Sequence, residues 1–101
     1  MGELSLLLES ILSRYAKKGF NGYTELTSNP QKTWFVVTSV GNTRSEGRVI
    51  STALAVHLVG TSIVIETDNT NKPLVDALLD SGVARSQIIL AYRGEPVPEE
   101  V

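Results

Sequence analysis

The side chains able to do acid–base or nucleophilic chemistry in this sequence are few and widely spaced. His57 is the one histidine and cysteine is absent, which excludes a Cys/His dyad and a metal site built from several histidines. Ser51 and His57 lie six residues apart on one predicted strand, about 20 Å at strand rise, so they cannot share a hydrogen bond. No serine stands in the glycine-flanked elbow of a hydrolase. We therefore expect no catalytic residue and no cofactor.

Two acidic residues come closest to a metal site. Glu66 and Asp68 lie near the end of a predicted strand, and Asn69 or Thr70 offers a further oxygen ligand for a divalent cation. The commoner role of such residues is a solvated strand face followed by a helix cap. We expect that role, and no bound metal.

The polar loop at 41–47 has the composition of a phosphate-binding turn but lacks its context. A Walker-type loop places a lysine and a hydroxyl residue at the opening of a helix, whereas this loop leads into a β-rich run. We expect an ordinary hairpin loop, and a ligand or partner loop is the alternative.

Charge argues against a dedicated nucleic-acid binder. The net charge is −2, the reverse of the basic excess that neutralises phosphates. Basic residues cluster near the end of the first predicted helix (Arg14, Lys17 and Lys18) and around the loop (Arg44 and Arg48). The first group is expected to complement the helix dipole, with a DNA-contacting patch as the alternative.

Apolar spacing places these residues on two helices and five strands. The first helix carries an apolar stripe from Leu4 to Tyr15 and is expected to end at Gly19. The second has Pro73 in its first turn, Thr70 or Asn71 as its cap, and Gly82 at its end. The expected strands are 23–27, 33–40, 48–58, 62–67 and 88–92. In the third strand, the residues expected to share one face are Ile50, Leu54, Val56 and Leu58.

This pattern predicts an α+β fold, a single domain with a mostly antiparallel, mixed sheet of about five strands and two helices in the order α-β-β-β-β-α-β. The helical crossover before the last strand is long enough for that strand to run parallel to its predecessor. We expect one domain at 1–93 and a mobile, acidic, proline-containing tail at 94–101. No apolar run approaches the roughly 20 residues that span a bilayer, and no secretory leader is evident. We expect a cytoplasmic protein without membrane contact.

Apolar residues occupy both faces of the predicted sheet. Two helices packed on one face would leave the other face exposed, which a monomer does not normally tolerate. We therefore expect a homodimer or higher oligomer through the sheet. The adjacent apolar pairs that indicate this are Trp34/Phe35, Val36/Val37, Ile63/Val64 and Ile88/Ile89.

An ordered set of short motifs resembles the XisI family, the fdxN-element excision controlling factors of cyanobacteria, over nearly the whole chain. Two positions depart from the family pattern: Asn42 stands where tryptophan is common, and 71–73 stands where an acidic residue and glycine are usual. The motifs are Tyr15-Ala16, Val40-Gly41, Arg48-Val49, His57, Ile63-Val64-Ile65-Glu66-x-Asp68-x-Thr70, Leu78-x-x-x-Gly82-Val83 and Gln87-Ile88-Ile89-Leu90-Ala91-Tyr92.

The resemblance implies a non-enzymatic accessory protein for programmed excision of a DNA element during heterocyst differentiation. It implies that the protein acts by protein–protein interaction with an XisH-like, nuclease-related partner and with a site-specific recombinase, and that DNA contact is indirect or weak. The alternative is a recombination directionality factor that binds DNA directly. The candidate interaction residues are Arg44, Arg48, His57, Asp68 and Arg93.

Overall fold

The structure, a computed structural model, describes residues 2–98. Two helices lie against one five-stranded sheet. The elements are α1 (Glu3–Leu12) with a 3₁₀ turn at Ser13–Tyr15, β1 (Gly22–Ser28), β2 (Trp34–Thr43), β3 (Gly47–Val59), β4 (Ser62–Asp68), α2 (Leu74–Asp80), a 3₁₀ turn at Arg85–Gln87, β5 (Ile88–Leu90) and a 3₁₀ turn at Ala91–Arg93.

The strands lie in the sheet in chain order, from β1 at one edge to β5 at the other. The first four strands form antiparallel neighbours, and β5 runs parallel to β4, with Ile63 opposite Ile88. The α2 crossover allows this last parallel pairing, as its length predicts. The predicted fold class, α+β with a mixed sheet, and the order of elements are confirmed.

Both helices pack on the same face of the sheet, and the hydrophobic core lies between the two layers. From the helices the core takes Leu8 and Leu12 of α1 and Leu74 and Leu78 of α2. Burying a side chain of this size stabilises the fold by about 1.5–3 kcal/mol. The sheet contributes Phe35, Val37, Leu54, Val56, Ile63, Ile65, Ile88 and Leu90.

The first helix ends earlier than predicted. α1 stops at Leu12, its 3₁₀ extension stops at Tyr15, and the backbone is extended at Ala16. The cause is pairing with β1: the Thr24 hydroxyl accepts a bond from the Lys17 amide at 2.8 Å, and the Thr24 amide donates to the Lys17 carbonyl at 2.8 Å. The prediction that Gly19 ends this helix, with lysines complementing its dipole, is therefore wrong.

The predicted faces of β3 are wrong for the residues that precede its bulge. Ile50 pairs with Val40, but the register between β2 and β3 shifts at Val37/Thr38. A bulge adds one residue to one strand and reverses the faces beyond it. As a result Leu54 and Val56 are buried in the core, whereas Ile50 lies on the opposite face and is exposed.

The end of α2 matches the sequence prediction. Gly82 has φ of +94°, a conformation that glycine adopts without steric cost, and the Val83 amide bonds to the Leu78 carbonyl at 3.0 Å. Beyond β5, Glu95 accepts bonds from the Leu90 amide at 2.8 Å and from the Arg85 guanidinium at 3.0 Å. Of the predicted mobile tail, residues 99–101 lie outside the described part of the chain.

Candidate functional site

A cleft of about 1030 Å³ opens beside the start of β1 and the end of β2, between the 3₁₀ turn after α1 and the entrance of α2. Asp76 and Asp80 of α2 also line it. Within residues 2–98 no ion pair engages the cleft's basic side chains, so these cations are available to an anionic group of a ligand or partner. The basic side chains that line the cleft are Arg14, Lys17, Lys18 and Lys72.

The segment that leads from the cleft into β1 presents an aromatic ring to solvent. Phe20 is 100% exposed, and its neighbours Lys18 and Gly19 line the cleft. The Gly19 amide donates to the Gly22 carbonyl at 2.7 Å, which fixes the backbone on both sides of the ring. A large apolar side chain that is fully exposed to solvent, on a backbone fixed by a hydrogen bond, is typical of residues that fill a pocket on a partner protein.

One hydrogen bond closes the base of the cleft. The Tyr15 hydroxyl donates to the Lys72 carbonyl at 2.7 Å, which joins the 3₁₀ turn to the α2 entrance. Burial, followed by the nearby carboxylates of Asp68 and Asp76, raises the pKa of Tyr15. The phenol therefore stays protonated, and remains a donor, well into the alkaline range.

Asp68 is the residue that caps α2. One of its carboxylate oxygens accepts the Leu74 amide at 2.7 Å, and the other accepts the amide and hydroxyl of Thr70 at 3.0 and 2.6 Å. The predicted cap at Thr70 or Asn71 is wrong, because the chain at 69–73 folds as a loop around this carboxylate before the helix begins at Leu74.

Within residues 2–98 neither helix packs on the face of the sheet opposite the core, and we call this face the open face. One row of paired residues crosses four strands on this face: Trp34 lies opposite His57, His57 opposite Val64, and Val64 opposite Ile89. The strand pairings and the alternation along each strand assign its side chains. They are Tyr23, Glu25, Thr27, Trp34, Val36, Thr38, Val40, Arg48, Ile50, Thr52, Ala55, His57, Val64, Glu66 and Ile89.

His57 is held rigidly on the open face. Its ring stacks on Trp34 with centroids 3.9 Å apart and an interplanar angle of 2°. Its Nε2 lies 2.8 Å from Glu66 Oε2, and because a carboxylate only accepts, Nε2 carries the proton. The side chain is only 6% exposed, and within residues 2–98 its Nδ1 has no hydrogen-bond partner. The stack on Trp34 and the hydrogen bond to Glu66 thus hold the His57 ring in one orientation.

The candidate interaction residues from the sequence do not form one site. Arg44 and Arg48 lie at the β2–β3 hairpin, exposed, while His57 lies at the far end of β3 on the open face. Asp68 faces α2, and the Arg93 guanidinium carbon lies 5.7 Å from the centre of the Tyr92 ring.

Glu66 and Asp68 are also separated, because one pairs with His57 and the other caps α2. In the described part of the chain no group of three or more histidine, cysteine or acidic residues is placed to hold a metal ion. Over the same residues no helix is long and apolar enough to cross a membrane.

Sequence reasoning missed Lys72 and Phe20 as parts of the cleft region, and it missed the stack of Trp34 on His57. The run 17–23 could have indicated the cleft region, because it has two lysines and two aromatic residues around glycines, and basic residues interleaved with aromatic ones are typical of binding loops. The stack depends on the register between β2 and β3, which the sequence does not display.

Comparison with known proteins gives a consistent result. The family model described as XisI protein matches residues 3–99. A XisI-like protein from Anabaena variabilis has a TM-score of 0.71 with 18% identity, covering 85% of this chain and 81% of that chain. The fdxN element excision controlling factor XisI from Anabaena variabilis has a TM-score of 0.62 with 23% identity, covering 88% of each chain. A search of curated proteins finds no match.

Proposed function

The chain belongs to the XisI family, and from that premise we propose that it is a non-enzymatic controlling factor for programmed excision of a DNA element. The match of the family model over residues 3–99 is the observation that carries this proposal. The name of a structural neighbour, fdxN element excision controlling factor, supports the same role.

The mechanism we propose is protein–protein control: the chain binds an XisH-like, nuclease-related partner, acts alongside a site-specific recombinase in the cytoplasm, and contacts DNA indirectly. The net charge of −2 favours a protein partner over a phosphate backbone. Phe20, beside the cations of the cleft, suits an apolar pocket rimmed by carboxylates on that partner.

The test is size-exclusion chromatography with light scattering on this protein mixed with a purified XisH-like protein from the same genome. We expect a stoichiometric complex. Phe20→Ala should weaken it at least tenfold, as loss of an anchor of about 1.4 kcal/mol or more does. Leu6→Ala, which removes another exposed apolar side chain, on α1 and 69% exposed, should not. Separate elution of the two wild-type proteins would contradict the proposed mechanism.

Direct DNA binding is the second candidate, and the gathering of Arg14, Lys17, Lys18 and Lys72 around one cleft favours it. Four phosphate contacts predict a loss of affinity of about 100-fold between roughly 50 and 200 mM salt. Anisotropy of labelled duplex DNA, with Lys17→Ala compared against Lys32→Ala, decides this, since Lys32 is already paired with Glu9 at 2.7 Å. Binding unaffected by Lys17→Ala rules the cleft out as the DNA site.

A further inference from the structure

The open face exposes more apolar surface than a monomeric protein normally leaves in water. Tyr23, Trp34 and Ile50 are 40%, 43% and 62% exposed. Val36 and Val40 lie half-buried between them. The pairings place Tyr23, Val40 and Ile50 in one row across β1, β2 and β3, while Trp34 and Val36 lie further along β2, beyond the polar row of Glu25, Thr38 and Thr52. Exposed apolar groups rimmed by polar residues mark an interface.

The size of the open face matches what a stable dimer needs. Each strand residue covers about 3.3 Å by 4.8 Å of a sheet, or roughly 16 Å², so the five strands present roughly 600 Å² per molecule. Two such faces together exceed the ~1,000 Å² that a specific interface requires. Of the side chains on this face, His57 and Val64 are themselves buried, at 6% and 0% exposed, so a partner contacts chiefly the exposed side chains of β1, β2 and β3.

The charges of the open face allow it to meet a copy of itself. Its ionisable groups are Tyr23, Glu25, Arg48 and the pair of His57 and Glu66, which are hydrogen-bonded to each other at 2.8 Å. Glu25 and Arg48 have opposite signs, so an isologous contact brings together as many opposite charges as like ones. A strongly charged partner would find no counterpart here.

We propose that a second copy of this chain covers the open face, sheet against sheet, in a two-fold dimer. Trp34 is the anchor: it is the largest exposed side chain on the face, and its stack on His57 fixes its orientation before binding. The interface resembles the aligned packing of two sheets about 10 Å apart. The proposal concerns self-assembly and does not depend on the proposed function.

The test is the oligomeric state of the purified protein, by light scattering and sedimentation at micromolar concentration. We expect a mass twice the 10.9 kDa of one chain. Ile50→Glu should raise the dissociation constant at least about 100-fold, because each dimer would bury two unpaired carboxylates. Leu6→Glu places the same charge at an equally exposed position on the helix side and should leave the dimer intact.

A second variant and a second signal separate dissociation from misfolding. Trp34→Ser should also give monomers, and far-UV circular dichroism should show that each variant keeps its fold. In the wild type, Trp34 is the sole tryptophan, so dilution should shift its emission to the red as the dimer separates. A wild-type monomer, a dimer indifferent to both Ile50→Glu and Trp34→Ser, or a face that binds only the XisH-like protein would overturn the proposal.

Discussion

Replacing Asp68 by alanine removes the carboxylate that joins β4 to α2. That carboxylate accepts the first amide of α2, from Leu74 at 2.7 Å, and both donors of Thr70, at 3.0 and 2.6 Å. No other side chain bonds the amides at the start of α2 in the described part of the chain. The substitution therefore leaves the first amide of α2 without a side-chain acceptor, and it removes the acceptor of both Thr70 bonds in the connecting loop.

The expected cost follows from the bonds lost. Removing a cap costs about 0.5–2 kcal/mol, and the Thr70 bonds to a charged acceptor add about 1–2 kcal/mol, at the low end because Asp68 is half-exposed. We expect Asp68→Ala to lower the free energy of unfolding by about 2–3 kcal/mol, or Tm by roughly 10–20 °C. Asp68→Asn keeps one acceptor oxygen and should lose about 1 kcal/mol.

Urea denaturation measures this directly, with Trp34 emission and far-UV circular dichroism as two probes whose agreement tests two-state behaviour. Asp80→Ala is the matched control: it is an exposed aspartate at the other end of α2, where a negative charge does not favour the helix dipole, so its effect should stay within about 0.5 kcal/mol. An Asp68→Ala protein as stable as the Asp80→Ala control would refute the reasoning.

Three further predictions rest on single contacts. Gly22→Ala should cost more than about 2 kcal/mol in urea denaturation, because a Cβ there overlaps the Val40 carbonyl of the paired strand. Tyr15→Phe should cost about 1 kcal/mol at neutral pH for the lost bond to Lys72. Because burial raises the pKa of Tyr15, its contribution to the free energy of unfolding is present below about pH 10 and is lost as pH rises through the raised pKa. Tyr15→Phe should therefore lose less stability at alkaline pH than the wild type. The hydrogen bond from the Leu90 amide, and then the Arg85 guanidinium, lower the pKa of Glu95, so its contribution to stability is present above about pH 4.5 and is lost as pH falls through the lowered pKa. In thermal melts, the Tm of Glu95→Gln should fall less at acid pH than that of the wild type. The same dependence of Tm on pH in both proteins would contradict this.

The candidate sites were only partly accessible from sequence. The expected helix-cap role of the acidic residues at the end of β4 is confirmed for Asp68, which bonds the Leu74 amide six residues further along the chain. The partner of His57 was not predicted, because Trp34 meets it only after β2 and β3 are paired. Arg14, Lys17 and Lys18 were grouped as helix-dipole partners, whereas β1 pairing draws the lysines away from the helix to line a cleft with Lys72. Interactions between distant segments carry these roles, and no local pattern encodes them.

The sequence by itself determined the element types, their order, the parallel final strand and the family, since these follow from residue periodicity, turn residues and short ordered motifs. Only the tertiary structure decided which face of β3 carries Ile50, where α1 ends and which of the polar residues before Pro73 caps α2. A one-residue bulge reverses a strand's faces without changing its composition. The apolar stripe of α1 continues to Tyr15, but Thr24 of β1 binds the Lys17 amide and the helix ends before it. Pairing with a strand outweighs the small preference of three or four residues for the helical conformation.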